Sequence, residues 1–98
     1  MTGARKPSLY SDERVCWFCK TPFDVECHHV FGGVGRRQVS DREGCYLYLC
    51  HEHHQGNTGV HRSSELMDFL HSDCQERWMR SNDATEEDFV AMFGRSYL

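Results

Sequence analysis

No stretch of this sequence approaches the roughly 20 consecutive apolar residues that a membrane-spanning helix needs, and the mean hydropathy is −0.68. A transmembrane segment is not expected. An apolar run near the start is also lacking: Met1 to Ser11 is polar, so no secretory signal is expected there. The expectation that follows is a reducing cytoplasm in which thiols stay free. Positive charge is not in excess either. The net charge is −4, which does not announce a nucleic-acid binder. Internal repeats and low-complexity segments are missing. So is bulk: 98 residues, 39% of them hydrophobic, allow one domain with a small core. Chains of this size gain little from burial alone and often need a staple.

The staple is legible in what the sequence does contain, which is six cysteines and seven histidines. Cys16 and Cys19 form a CxxC pair, and Cys50 with His53 forms a CxxH pair. Zinc favours four ligands in a tetrahedron, with thiolate and imidazole a common mixture. Each two-residue gap lets a pair reach one ion from a tight knuckle, so Cys16, Cys19, Cys50 and His53 are expected to hold a structural zinc. His54 is the alternative fourth ligand; His53 is favoured because it keeps the two-residue gap. The separation between the pairs leaves room for a hairpin. Cys27, Cys45 and Cys74 lack partners at ligand spacing and read as buried thiols.

The rest of the chain supplies elements around these pairs. Met1 to Asp12 is expected to be a flexible leader, with Arg5 and Lys6 solvated. Pro22 turns the chain after the first knuckle. Val25 to Phe31 has strand character, and the glycine run Gly32-Gly33-Val34-Gly35 ends it. Arg36 to Gly44 reads as a polar loop, the most basic part of the chain. Cys45 to Leu49 is a second strand, and a short helix from Cys50 to about Gln55 is limited by Gly56 and Gly59. Ser63 or Ser64 can cap a helix over roughly 65–80, with Leu66, Phe69, Leu70, Cys74 and Trp78 on one face. Asn82-Asp83 breaks it. Thr85 caps a last helix over 86–93 in an arrangement like a capping box with Asp88, and Gly94 is its C-cap. Trp17, Phe18, Tyr46 and Tyr48 are expected to fill the core near the zinc. His51 reads as a solvated helix-start residue and His71 as surface.

Charge divides unevenly. Residues 1–62 carry eight Lys/Arg against seven Asp/Glu, and residues 63–98 carry three against eight. The acidity belongs to the C-terminal third.

Several motifs together resemble the HNH endonucleases, and more closely the small phage and prophage HNH proteins. They are Cys16/Cys19, Glu26-Cys27-His28-His29-Val30-Phe31-Gly32-Gly33, Leu49-Cys50-His51-Glu52-His53-His54, Gly59-Val60-His61, and the tail with Phe93-Gly94-Arg95 and Tyr97-Leu98. The resemblance covers most of the chain from Cys16 onward. It implies an α+β fold: a small zinc-stabilised ββα-metal (His-Me finger) hairpin over about 13–62, with two C-terminal α-helices over 63–98. It implies that His29 is the general base that activates water. By the same resemblance His28 and His54 ligate a catalytic divalent ion (Mg²⁺, Mn²⁺, Ni²⁺ or Zn²⁺), with His61 as a further candidate ligand or else an exposed loop histidine. Adjacent strand residues point to opposite faces. His28 and His29 can therefore serve one site only if the strand is irregular there or ends there. Arg36, Arg37 and Arg42 would lie beside the catalytic groove and grip DNA phosphates.

One position departs from the family. Where it often carries an asparagine ahead of the Leu-Cys pair, this chain has Cys45, which cannot bond as an amide does. Ser40 or Asp41 could substitute, or the loop is held differently. The function so implied is metal-dependent hydrolysis of DNA phosphodiester bonds with low sequence specificity, in phage genome packaging beside a terminase or in recombination, within a phage-infected or prophage-carrying bacterial host. The alternative is a non-catalytic zinc-binding module that binds DNA or, through the acidic C-terminal helices, a protein partner. A thiol redox role for Cys16 and Cys19 lacks its supporting βαβ pattern.

Overall fold

The computed structural model describes residues 5–32 and 36–98. The first four residues of the expected leader, and Gly33 to Gly35 of the glycine run, lie outside the described residues. The fold is α+β, with one two-stranded antiparallel sheet and four α-helices among the described residues. β1 (Val25–His29) leads to α1 (Arg36–Glu43), then β2 (Tyr46–Cys50), then α2 (His51–Gln55). A 3₁₀ turn (Val60–Arg62) follows, and then α3 (Ser64–Asn82) and α4 (Glu86–Phe93).

The sheet register pairs Val25 with Cys50, Cys27 with Tyr48, His28 with Leu47 and His29 with Tyr46. Alternation then sorts the strands into two faces. Cys27 and His29 share one with Tyr46 and Tyr48. Glu26 and His28 share the other with Leu47 and Leu49. All five residues of β2 are buried, because helices and the leader cover both of its faces.

The last two helices form where their local signals place them. The Ser63 hydroxyl accepts from the Leu66 N–H to start α3, and Asp83 ends it in the left-handed conformation (φ 49°). Thr85 and Asp88 make a reciprocal capping box on α4, which satisfies two otherwise orphaned N–H groups. The α3 stripe packs as expected at Leu66, Leu70, Cys74 and Trp78, but Phe69 is 56% exposed. Phe31 is the hub between sheet and helices: its ring lies 4.9 Å from Phe93, 5.3 Å from Phe89 and 5.2 Å from Tyr97. Buried Gln75 ties down the tail by accepting from the Tyr97 N–H at 2.6 Å and donating to the Ser96 hydroxyl at 3.0 Å. One hydrophobic cluster contains residues from Cys16 to Phe93, so hairpin and helices share a core.

Three expectations need correction. Arg36 to Glu43 is a helix, not a loop. Its sequence hides this because only Ser40 is buried, leaving no apolar periodicity to read; tertiary bonds hold it instead. The Arg36 guanidinium donates to the Phe93 carbonyl at the end of α4. Ser40 Oγ donates to the Phe31 carbonyl (3.0 Å) and accepts from the Phe31 N–H (3.3 Å). Secondly, residues 5–10 are tied to the fold by hydrogen bonds, with Arg5, Lys6 and Pro7 still exposed. Lys6 N–H donates to the Asp41 carbonyl (3.2 Å) and Leu9 N–H to the Gly44 carbonyl (2.9 Å). The Tyr46 hydroxyl donates to the Lys6 carbonyl (2.7 Å), and Tyr10 bonds Asp73 of α3 (2.7 Å). Gly44, at φ 79°, makes the approach possible, since a Cβ there would sit 2.5 Å from the Pro7 carbonyl. Thirdly, His71 is half-buried, stacked on Phe31 at 5.6 Å and beside Tyr97 at 4.5 Å. Burial holds its pKa below the ordinary histidine value.

Candidate metal centres

The first knuckle meets the start of α2. Cys50 ends β2 and occupies the N-cap of α2, so the five-residue helix begins where the strand stops. His53 therefore comes within one turn of Cys50. Its Nδ1 lies 3.3 Å from Cys50 Sγ and 3.4 Å from Cys16 Sγ, and Cys19 Sγ lies 3.9 Å from Cys50 Sγ. Edges of roughly 3.5–3.8 Å are what Zn–S bonds of about 2.3 Å and Zn–N bonds of about 2.0 Å produce in a tetrahedron, within a few tenths of an ångström of these separations. The four donor atoms lie within 4.8 Å of one another, so this set could hold a metal ion such as zinc. Burial pushes the Cys16 thiol up. Hydrogen bonds from the backbone of Cys19, Cys50 and Phe18, and from the His53 ring, overcome this and bring it down to about 6. A thiol that ionises so readily is suited to a cation.

A second set stands on the next residue of α2. His28, His54 and His61 also offer one donor atom each within 4.8 Å. His54 Nε2 and His61 Nε2 are 3.0 Å apart, and the His28 ring lies 5.1 Å from each of the other two. His28 is 2% exposed, and its Nε2 is the one buried side-chain nitrogen or oxygen without a hydrogen-bond partner among the described residues. Such an orphan is costly unless something binds it. Burial, with His54 and His61 beside it, holds the His28 pKa down to about 3. Its imidazole is thus neutral throughout the physiological range, with a lone pair to offer.

Glu26 orients this set. Its Oε1 lies 2.7 Å from His54 Nδ1 and its Oε2 lies 3.0 Å from His51 Nδ1. Bonds to His54 and His51 hold the carboxyl pKa down to about 2. A carboxylate can only accept, so the hydrogen in the His54 contact is on its Nδ1; in a neutral imidazole Nε2 then keeps the lone pair, 3.0 Å from His61 Nε2. This is the carboxylate–histidine pairing that positions metal-ligating imidazoles. Glu26 opens the first histidine motif but received no role there; the signal was its place two residues before His28 on a strand, which puts both on one face.

His28, His29, Cys27, Gly32, Arg37, His54, Gln55 and His61 line one cleft of about 510 Å³. His29 reaches it from the opposite face of the sheet because β1 ends at His29. His29 Nε2 lies 2.9 Å from Asp41 Oδ1. Hydrogen bonds from Arg5 and His29 hold the Asp41 pKa below the usual carboxylate range against the opposing effect of burial. The two candidates for the missing asparagine thus have distinct contacts: Ser40 ties α1 to Phe31, and Asp41 meets His29. Cys45 is buried, and its thiol donates to the Glu43 carbonyl at 3.9 Å.

The chain matches no protein-family model, no curated protein and no solved structure. The chemistry of the two centres rests on its own side chains.

Of the three arginines expected beside a groove, only Arg37 lines this cleft. Arg36 is engaged by the Phe93 carbonyl, and Arg42 is exposed near the far end of α1. His51, expected to be solvated, is exposed but paired with Glu26. No helix among the described residues is long and apolar enough to cross a membrane.

Proposed function

We propose that this chain is a metal-dependent endonuclease of the HNH type, with a ββα-metal centre that hydrolyses DNA phosphodiester bonds. The observation that carries this reading is the partnerless, buried Nε2 of His28, which shares one cleft with His54, His61 and His29. The three-histidine set fits a divalent cation. It has three imidazole donor positions, an orphan atom that needs a partner, and a carboxylate bonded to one of the rings. When bound, such an ion supplies positive charge that polarises the scissile phosphate and stabilises the leaving oxygen.

The chain's own residues supply the rest. His29 stands at the rim of the cleft and takes the proton from the attacking water. A positioned base of this kind contributes roughly 10²–10⁴-fold. Arg37 offers a guanidinium to a phosphate oxygen. Cys16, Cys19, Cys50 and His53 hold a structural zinc that fixes the start of α2. Among the described residues Arg37 is the one Lys or Arg lining the cleft, which suits backbone contact with little base recognition. Packaging beside a phage terminase, or recombination, is the setting the motifs suggest.

The acidic C-terminal third favours a second reading, a non-catalytic zinc module that docks on a protein. The two readings separate on metal content and cleavage. Supercoiled plasmid should be nicked in the presence of Mg²⁺, Mn²⁺ or Ni²⁺, and His29→Ala should lower the rate roughly 10²–10⁴-fold. Equal nicking by the variant removes His29 as the base. One bound ion per chain and no nicking with any metal would favour the docking module.

A further inference from the structure

We propose that Asp41, clamped by Arg5 of the leader, is a positioning residue that sets which nitrogen of His29 carries the proton. The inference deepens the nuclease reading and rests on it for its catalytic meaning. The structural part stands on the contacts alone.

Asp41 Oδ1 receives two donors, His29 Nε2 at 2.9 Å and Arg5 Nη2 at 2.6 Å. An ionised carboxylate can only accept, so the hydrogen in the first contact belongs to His29 Nε2. In a neutral imidazole, Nδ1 then keeps the lone pair. That nitrogen is the one available to accept a proton from water. The same logic operates where a buried carboxylate holds the base of a hydrolytic triad in the working tautomer.

Arg5 is itself immobilised on the sheet face that carries His29. Its guanidinium lies 4.2 Å from the centre of the Tyr46 ring. It also reaches the Tyr48 hydroxyl at 3.4 Å and Cys27 Sγ at 3.6 Å. Tyr46 and Tyr48 are the register partners of His29 and Cys27. Three side chains of the sheet, Cys27, Tyr46 and Tyr48, therefore meet one arginine that comes from outside it. The Lys6 N–H to Asp41 carbonyl bond, at 3.2 Å, holds the same two segments together through the backbone. Asp41 is thus fixed from both its main chain and its side chain, and the leader completes the presentation of His29.

Histidine-ring ¹H–¹⁵N long-range correlation spectra of the zinc-loaded protein distinguish the two neutral tautomers. The His29 signals are assigned by their loss in His29→Gln. The expected result is the Nε2–H form in the unsubstituted protein. A shift toward a mixture is expected in Asp41→Ala and Arg5→Ala, and a return toward Nε2–H in Asp41→Glu. Asp41→Asn should move the ring toward Nδ1–H, because the amide can donate. Plasmid nicking by Asp41→Ala should fall roughly 10²–10⁴-fold, the size of the contribution of a positioned base, with plasmid affinity unchanged and partial recovery in Asp41→Glu. An Nδ1–H ring in the unsubstituted protein, or the same tautomer in the Asp41→Ala and Asp41→Asn variants, overturns the proposal. If the unsubstituted protein nicks nothing, the nuclease reading fails and the tautomer spectra still decide the role of Asp41. Arg5→Ala leaves the Ser40 and Phe31 contacts intact, so it keeps the question open to test if an Asp41 variant misfolds.

Discussion

Glu26 joins β1 to α2 through three side chains: His54 at 2.7 Å, His51 at 3.0 Å and Gln55 at 3.3 Å. Its carboxylate decides that His54 presents Nε2, and not Nδ1, to His61 and His28. Glu26→Gln keeps the shape but introduces an amide N–H₂ that can donate to Nδ1. The expected outcome is a Mn²⁺ affinity at the histidine set lower by roughly 10–100-fold, with the zinc content of the Cys16, Cys19, Cys50 and His53 set unchanged. Calorimetric titration of the zinc-loaded protein with Mn²⁺ checks this. Equal affinity would remove Glu26 from the metal centre. Partners of this kind are poorly visible in one dimension. His28 and His54 stand out because the residue type is rare and the spacing familiar, whereas a glutamate in an antiparallel strand looks like any solvent-facing residue. Only the register of β1 against β2 brings it to α2.

Gly44 joins α1 to β2 and shows how a glycine can be needed for what lies against it. It has a left-handed φ of 79°, and a Cβ on it would lie 2.5 Å from the Pro7 carbonyl oxygen. Gly44→Ala should lower unfolding free energy by about 1–3 kcal/mol from backbone strain alone, and by more while the leader is present. Removing residues 1–8 should bring the cost down toward the strain component. Denaturant midpoints of the two backgrounds measure the difference. An identical cost in both would show that Pro7 does not press on Gly44.

The neighbouring elements explain what the sequence could and could not disclose about the fold. The α3 and α4 boundaries were legible because Ser63, Thr85, Asp88 and Gly94 act within a few residues of themselves. Both strands were legible from their β-branched and aromatic residues. The α1 helix was not, because Arg-Arg-Gln-Val-Ser-Asp-Arg-Glu has no apolar stripe and is held through Arg36, Ser40 and the leader, contacts distant in the chain. The same distance concealed the docking of Arg5 and Tyr10. The candidate zinc set of Cys16, Cys19, Cys50 and His53 was legible because its spacing is itself local, two tight pairs. The convergence of His61 on His54 needed the turn at Gly56 to Gly59.

Taken as one molecule, the chain places both candidate centres on a single five-residue helix. His53 points to one and His54 to the other, and α2 is too short to be stable alone. Whatever orders α2 on behalf of one centre therefore also orders it for the other. Ions bound at the two centres would then behave as thermodynamically linked ligands, and linkage is reciprocal. Mn²⁺, which prefers nitrogen and oxygen donors over thiolates, should bind zinc-loaded protein more tightly than a zinc-free Cys19→Ser variant, by roughly 5–150-fold. Matched affinities would mean that α2 keeps its shape with the thiolate set empty. Linkage of this kind would make the thiols a rheostat for the cleft. An oxidant or chelator acting at exposed Cys19 would loosen cation binding at His28, His54 and His61 without touching any of them.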